Sequence, residues 1–174
     1  MPRLCYNVFP TDWGWVAVAA SERGVRLVTL PEPTRRQAAE RLAVLLKGQP
    51  VEFRPALFEH FEEQLRRSLR GKLVLWDVAL DLDGAPAFFR RAWAACQAIP
   101  AGQTRTYTWL AAEAGSPRAA RAAGQAMARN PVPLVVPCHR VIASDGSLGG
   151  FGGPGPTLKA RLLELERRNN PALS

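Results

Sequence analysis

Cysteine, histidine and, over half its length, acidic residues are scarce in this 174-residue chain, and each shortage removes a class of function. Three cysteines, Cys5, Cys96 and Cys138, are odd in number and widely spaced, which argues against a disulfide framework. With only His60 and His139 to help them, they form no recognisable zinc spacing, so no metal and no other cofactor is expected. No stretch reaches the roughly 18 apolar residues of a membrane span, and "MPRLCYNVFPTDWGW" lacks the apolar block of a secretory signal. The expectation is a cytoplasmic protein with reduced thiols and no membrane partner. Internal repeats and low-complexity linkers are also absent, while 47% hydrophobic residues and five tryptophans supply a globular core.

The shortage of acid is local. Residues 1–84 carry twelve Lys/Arg against eleven Asp/Glu, whereas residues 85–174 carry eleven against four. The second half therefore holds +7 of the net +8. A basic half suits a phosphate-bearing partner, although a solvated arginine-rich surface would produce the same count.

The first half, residues 1–84, reads as an α/β domain with a structural role. "WGWVAVAA" and "GVRLVTL" flank "SER" as a hairpin. Thr34 and Gln37 have capping-box spacing before a helix that Gly48 ends, and "ALFEHFEEQLRRSLRG" is a second amphipathic helix closed by Gly71. "KLVLWDVALDL" alternates, with Val74, Trp76, Val78, Leu80 and Leu82 on one face, and predicts a strand. His60 falls in a charged helix and reads as a surface residue.

"DGAP" marks a boundary, and residues 85–174 turn mainly helical. In "PAFFRRAWAACQAI", Cys96 lies on an apolar stripe and reads as core packing. A helix over Thr108–Ala114 stops at Gly115; Ser116 reads as an N-cap and Pro117 as the first residue of a second helix running to about Arg129. This is helix-turn-helix spacing. The second helix is rich in alanine and places Arg118 and Arg121 on one face, so it can lie close to a nucleic-acid backbone.

"NPVPLVVPCHRVI", residues 130–142, then fixes one cysteine beside one histidine after an apolar run that reads as a strand. A cysteine attacks only as thiolate and needs a base or a cation nearby. His139 can relay a proton if a carboxylate orients its ring. Glu113, Asp145, Glu164 and Glu166 are the candidates, and spacing does not choose among them.

"NPVPLVVPCHRVIASDGSLGGF", with "IPAGQTRTYTWLA" and "PRAARAAGQAMARNP", resembles the O6-alkylguanine-DNA alkyltransferase family from about Phe88 to Glu166. The resemblance implies that Cys138 accepts the alkyl group irreversibly from a flipped O6-alkylguanine, and less readily from O4-alkylthymine. It implies His139 as a water-mediated base oriented by Glu166, Asn130 as a hinge, and Tyr107 as a donor toward guanine N3. Arg121 matches a finger that enters the base stack, and Thr108, Ser116 and Ser144 match positions that contact the DNA backbone; Arg118, by its spacing from Arg121, is expected to bind DNA as well. Val141, Gly152, Phe151 and Met127 match the pocket. Gly152 stands where some relatives have serine and Phe151 where some have tyrosine, in a loop rich in glycine and proline.

The implied partner is double-stranded DNA containing O6-alkylguanine, bound by a monomer that is nucleoid-associated if prokaryotic. Three other readings compete: a binder of alkylated bases that transfers nothing, which would lack the acceptor cysteine, a redox-sensing helix-turn-helix regulator, which would need base-specific side chains on its second helix, and a Cys-His hydrolase, which would turn over repeatedly.

Overall fold

In the computed structural model the described residues are 3–148 and 156–170, and they fall into two units: residues 1–83 with 131–133, and residues 84–130 with 134–174.

In the first unit, β1 (Leu4–Thr11), β2 (Gly14–Ser21) and β3 (Gly24–Val28) are antiparallel and joined by two-residue turns. A short β4 (Val51–Phe53) runs parallel to β1, so the order is β3-β2-β1-β4. The period of two sends alternate residues of β1 to opposite faces. Leu4 and Val8, with Ala17 and Ala19 of β2, pack under Ala38, Leu42 and Leu46 of α1 (Arg35–Leu46). On the other face Phe9 meets Phe61 of α2 (Glu59–Leu69) edge-on at 6.2 Å. Both faces are thus buried, which is why "WVAVAA" is apolar at successive positions rather than alternating.

Local signals end these helices. The Thr34 hydroxyl accepts from Gln37 N–H at 3.1 Å, while the Gln37 side chain meets the same hydroxyl instead of completing the box. At the end of α2, Lys72 N–H donates to Arg67 C=O and Gly71 N–H to Ser68 C=O, both at 3.0 Å. Gly71 takes φ +79, the left-handed residue such an ending requires.

Three expectations need correction here. Strands β1 and β4 were not anticipated: β1 contains Pro10, tolerated because β4 pairs only with Leu4–Tyr6. The segment 72–82 is extended with the expected face turned inward, but it forms one bridge, Val25 with Leu80, and no strand. Its alternation reflects packing on one side, with Trp76 against Phe61 at 5.9 Å, and not a hydrogen-bonded ladder. At that bridge Gly24 is obligatory: a Cβ there would lie 2.3 Å from the Ala79 carbonyl oxygen, and φ is +145.

The second unit contains α3 (Ala87–Gln97), α4 (Tyr107–Glu113), α5 (Ala120–Ala128) and α6 (Pro156–Asn169). A two-residue parallel pair joins β5 (Arg105–Thr106) to β6 (Val141–Ile142). Trp93 of α3 is buried and its indole N–H donates to Ala126 C=O at 2.8 Å. Arg91 Nε donates to Ala114 C=O at 2.8 Å and so caps the end of α4.

Gly115, at φ +89, makes the turn after α4. The expected start of the second helix is corrected: Ser116–Ala119 is a separate turn, with Ala119 N–H donating to Ser116 C=O at 2.9 Å, and α5 begins at Ala120. Ser-Pro suits positions i and i+1 of a turn as well as it suits an N-cap and N1, which is why the sequence misled. Arg118 therefore sits in the turn and does not share a helical face with Arg121. Similarly α4 starts at Tyr107, one residue earlier than expected, capped by the Thr106 hydroxyl, which accepts from Trp109 N–H at 3.1 Å.

Candidate active site

The run before Cys138 is not a strand. Leu134 is buried with φ +76, a conformation few non-glycine residues adopt, so the chain reverses there instead of extending. Pro137, at φ −80 and ψ 64, is the centre of an inverse γ-turn: Cys138 N–H donates to Val136 C=O at 2.8 Å. Proline suits that centre because its ring fixes φ near this value. Cys138–Arg140 then forms one 3-10 turn, closed by Arg140 N–H to Pro137 C=O at 2.9 Å. The Asn130 side chain donates to Val136 C=O at 2.8 Å and also hydrogen-bonds Cys138. Asn130 thus ties the end of α5 to the cysteine turn.

In a 3-10 turn successive side chains point about 120° apart, so Cys138, His139 and Arg140 reach different neighbours. His139 is buried, and its Nε2 lies 2.7 Å from Oε1 of Glu166 on α6. Of the four candidate carboxylates, the structure brings Glu166 to the histidine. Burial pushes Glu166 up, but the bond and charge of His139 and then those of Arg140 prevail, holding it at about 2. An ionised carboxylate can only accept. Nε2 therefore carries the proton, and Nδ1 is the basic nitrogen of a neutral His139.

Cys138 is 5% exposed. Burial raises its thiol above the usual range, opposed by the Asn130 hydrogen bond and by the charge of Lys159. The resting group at neutral pH is thus a thiol, which needs a base before it can attack.

Lys159 was not anticipated. Its side chain is fully buried, and Nζ donates to Val141 C=O at 2.6 Å and lies 5.9 Å from the Tyr107 ring centroid. Burial lowers its basicity while negative charge on Cys138 or Cys96 would raise it. The available signal was spacing: Lys159 and Glu166 are seven residues apart, two turns of one helix, in "LKARLLELE".

Tyr107 reaches this region because β5, whose end it directly follows, pairs with β6, where the cysteine turn exits. It is half-buried, and burial, with the charges of Cys138 and Cys96, raises its phenol so that it stays a proton donor at neutral pH. Cys96 is buried on α3, and burial raises its thiol far above the usual range, in keeping with a packing role.

The remaining expected residues divide by exposure. Arg118, Arg121, Thr108 and Ser144 are exposed and Ser116 half-buried, whereas Val141 and Met127 are buried. Phe151 and Gly152 lie outside the described residues. His60 is exposed and pairs with Asp77 at 2.7 Å. Among the described residues no group of three or more His, Cys, Asp or Glu is placed to hold a metal, and no helix is long and apolar enough to cross a membrane.

Residues 87–168 match the family model for 6-O-methylguanine DNA methyltransferase, DNA binding domain. A methylated-DNA–protein-cysteine methyltransferase of Mycolicibacterium paratuberculosis is 49% identical over 118 residues, 68% of this chain and 70% of the relative. One from Methanosarcina barkeri is 34% identical over 166 residues, 95% of this chain and 99% of the relative. Among solved structures, Mycobacterium tuberculosis OGT in complex with DNA superposes with a TM-score of 0.79 at 35% identity, covering 97% of this chain and 96% of that one.

Proposed function

Since the chain belongs to the methylated-DNA–protein-cysteine methyltransferase family, we propose that Cys138 is the thiol that receives the alkyl group, once and irreversibly. The activity is repair of O6-methylguanine in DNA by methyl transfer to a protein cysteine. The roles of individual residues rest on one observation: a buried thiol in a 3-10 turn is followed by a histidine bonded at 2.7 Å to a buried carboxylate.

His139 removes the Sγ proton through a bridging water and becomes imidazolium beside Glu166. The thiolate attacks the alkyl carbon on guanine O6, forming an S–C bond as the C–O bond breaks. Negative charge passes to the guanine, and Tyr107 donates toward N3, lowering the barrier to departure of the anion. Lys159 favours the thiolate as it forms. The thioether product is stable, so one molecule acts once.

A target inside a duplex cannot meet a buried sulfur, so the base must leave the stack. Arg121 enters the gap, and Arg118, Thr108, Ser116 and Ser144 contact the backbone. Ala-rich α5 allows close approach without reading sequence. Val141 and Met127 line the pocket that takes the flipped base. The protein acts as a monomer in the cytoplasm, residues 1–84 serving as a structural domain and residues 85–174 as the working one.

Intact-protein and peptide mass spectrometry after incubation with a duplex holding one O6-methylguanine tests this reading. One methyl on the peptide containing Cys138, and no more per chain, is expected. A protein that binds the duplex unmodified would instead be a binder of the alkylated base. Multiple turnovers would make it a hydrolase.

A further inference from the structure

Glu166 accepts from two side chains at once. Its Oε1 accepts from His139 Nε2 at 2.7 Å, and from Arg140 Nη2 at 2.8 Å and Nε at 3.2 Å; its Oε2 accepts from Arg140 Nε at 3.0 Å. The fourth bond of the fork, Arg140 Nη1 to Ile99 C=O at 2.7 Å, anchors the guanidinium to the end of α3. Among the described residues the carboxylate receives its hydrogen bonds from His139 and Arg140.

We propose that Arg140 is a positioning residue for the transfer: it fixes the plane of the Glu166 carboxylate and takes up part of its charge, so that His139 is held in the orientation in which it serves the thiol as base. The proposal rests on His139 being that base. Two physical consequences separate it from simple packing. A planar fork bonded to both oxygens prevents rotation that would break the Nε2 contact, which a point charge does less well. A positive charge on the same carboxylate also offsets its pull on the imidazole, so the imidazolium is not overstabilised before the thiol is deprotonated. The other ionisable groups packed around this turn are Lys159 from α6, Cys96 from α3, Tyr107 from the start of α4, and Cys138 itself.

The test is the pH dependence of single-turnover methyl transfer from an O6-methylguanine duplex, measured on the full chain with Arg140→Met and Arg140→Lys. Arg140→Met is expected to slow transfer at pH 7 by roughly tenfold or more, a part of the ~10²–10⁴ a positioned base supplies. Its rise with pH should also move upward by roughly one unit, the size of effect one nearby charge exerts at an effective dielectric of ~20. Arg140→Lys keeps the charge and loses the fork, so its profile should stay in place with a lower plateau. Thermal unfolding establishes that each variant is folded. A folded Arg140→Met with an unmoved profile overturns the proposal, and if that variant does not fold, a wild-type plateau in Arg140→Lys does so. His139→Phe keeps the two readings apart: if it transfers at the wild-type rate, the base itself is misassigned, whereas a slow His139→Phe beside an unshifted Arg140→Met sinks only the role of Arg140.

Discussion

The two units spend their charged residues differently. In the first, arginine and acid pair across the surface: Arg3 and Arg54 with Glu52, Arg36 with Glu40, Arg66 with Glu62, Arg70 with Asp12, and Arg23 with Asp83. Such exposed pairs contribute roughly 0–1 kcal/mol each, and they leave little net field. In the second unit, acid is rare and largely committed. Glu166 is turned inward to His139 and Arg140, and Glu164 takes Arg167 and Arg168. Arg118 and Arg121 are exposed and, among the described residues, make no ion pair. One unit uses charge to hold its surface; the other buries His139, Glu166, Lys159, Cys138 and Cys96 around one turn and leaves arginine facing outward. Buried and perturbed groups concentrate where chemistry is done.

The strongest test of that contrast removes the thiol. Cys138→Ser should abolish transfer while leaving duplex affinity unchanged, measured by methyl transfer and by titration of fluorescent DNA. Residual methylation elsewhere in the chain would mean the buried cluster is not the reactive one. Next is a core change in the first unit. Leu65 is fully buried under the sheet, and Leu65→Ala should lower unfolding free energy by about 2–5 kcal/mol. Per folded molecule the transfer rate should be unchanged, and a parallel fall would mean that the first unit shapes the site.

Within the second unit, Glu166→Gln should slow transfer by roughly 10²-fold through loss of an oriented base. Normal rates would remove Glu166 from the relay. A pH effect accompanies it, and its sign follows from the depressed carboxyl. Folding stability from this group is fully present above about its ordinary 4.5 and lost as pH falls through about 2. The glutamine variant should therefore lack that part of the acid-unfolding limb.

Legibility in the sequence followed the same division. Helices α1 and α2 were readable because capping residues and glycine stops act locally. So was the Cys-His pair, whose neighbouring prolines restrict the backbone directly. Other features depended on partners distant in sequence. Residues 72–82 carry a strand's alternation but have almost nothing to pair with, and β1 hid behind Pro10 because its suitability depends on how far β4 extends. Ser116-Pro117 is equally good chemistry for a turn and for a helix start. Lys159 and Arg140 drew no reading of their own, since only the fold reveals that α6 carries one into the interior and that Ile99 and Glu166 receive the other. Leu134 gave no signal at all: its left-handed backbone is imposed by its surroundings.

The smallest expected effect bears on the outward-facing arginines. Arg121→Ala should reduce repair of a duplex roughly tenfold, because filling the gap offsets the few kcal/mol of unstacking that flipping requires. Reaction with free O6-alkylguanine should scarcely change, since nothing has to be unstacked. The matched control is Arg70→Ala in the first unit, where an exposed arginine 2.8 Å from Asp12 is already neutralised. It should alter neither substrate and leave thermal stability nearly unchanged, because an exposed pair is screened by solvent. Both rates are read by single-turnover transfer at one salt concentration, because phosphate contacts weaken steeply as salt rises. If Arg121→Ala slowed both substrates equally, the arginine would belong to the chemistry and not to the duplex. If Arg70→Ala selectively impaired the duplex reaction, paired charge in the first unit would also be meeting DNA, and the division of labour between the two units would fail.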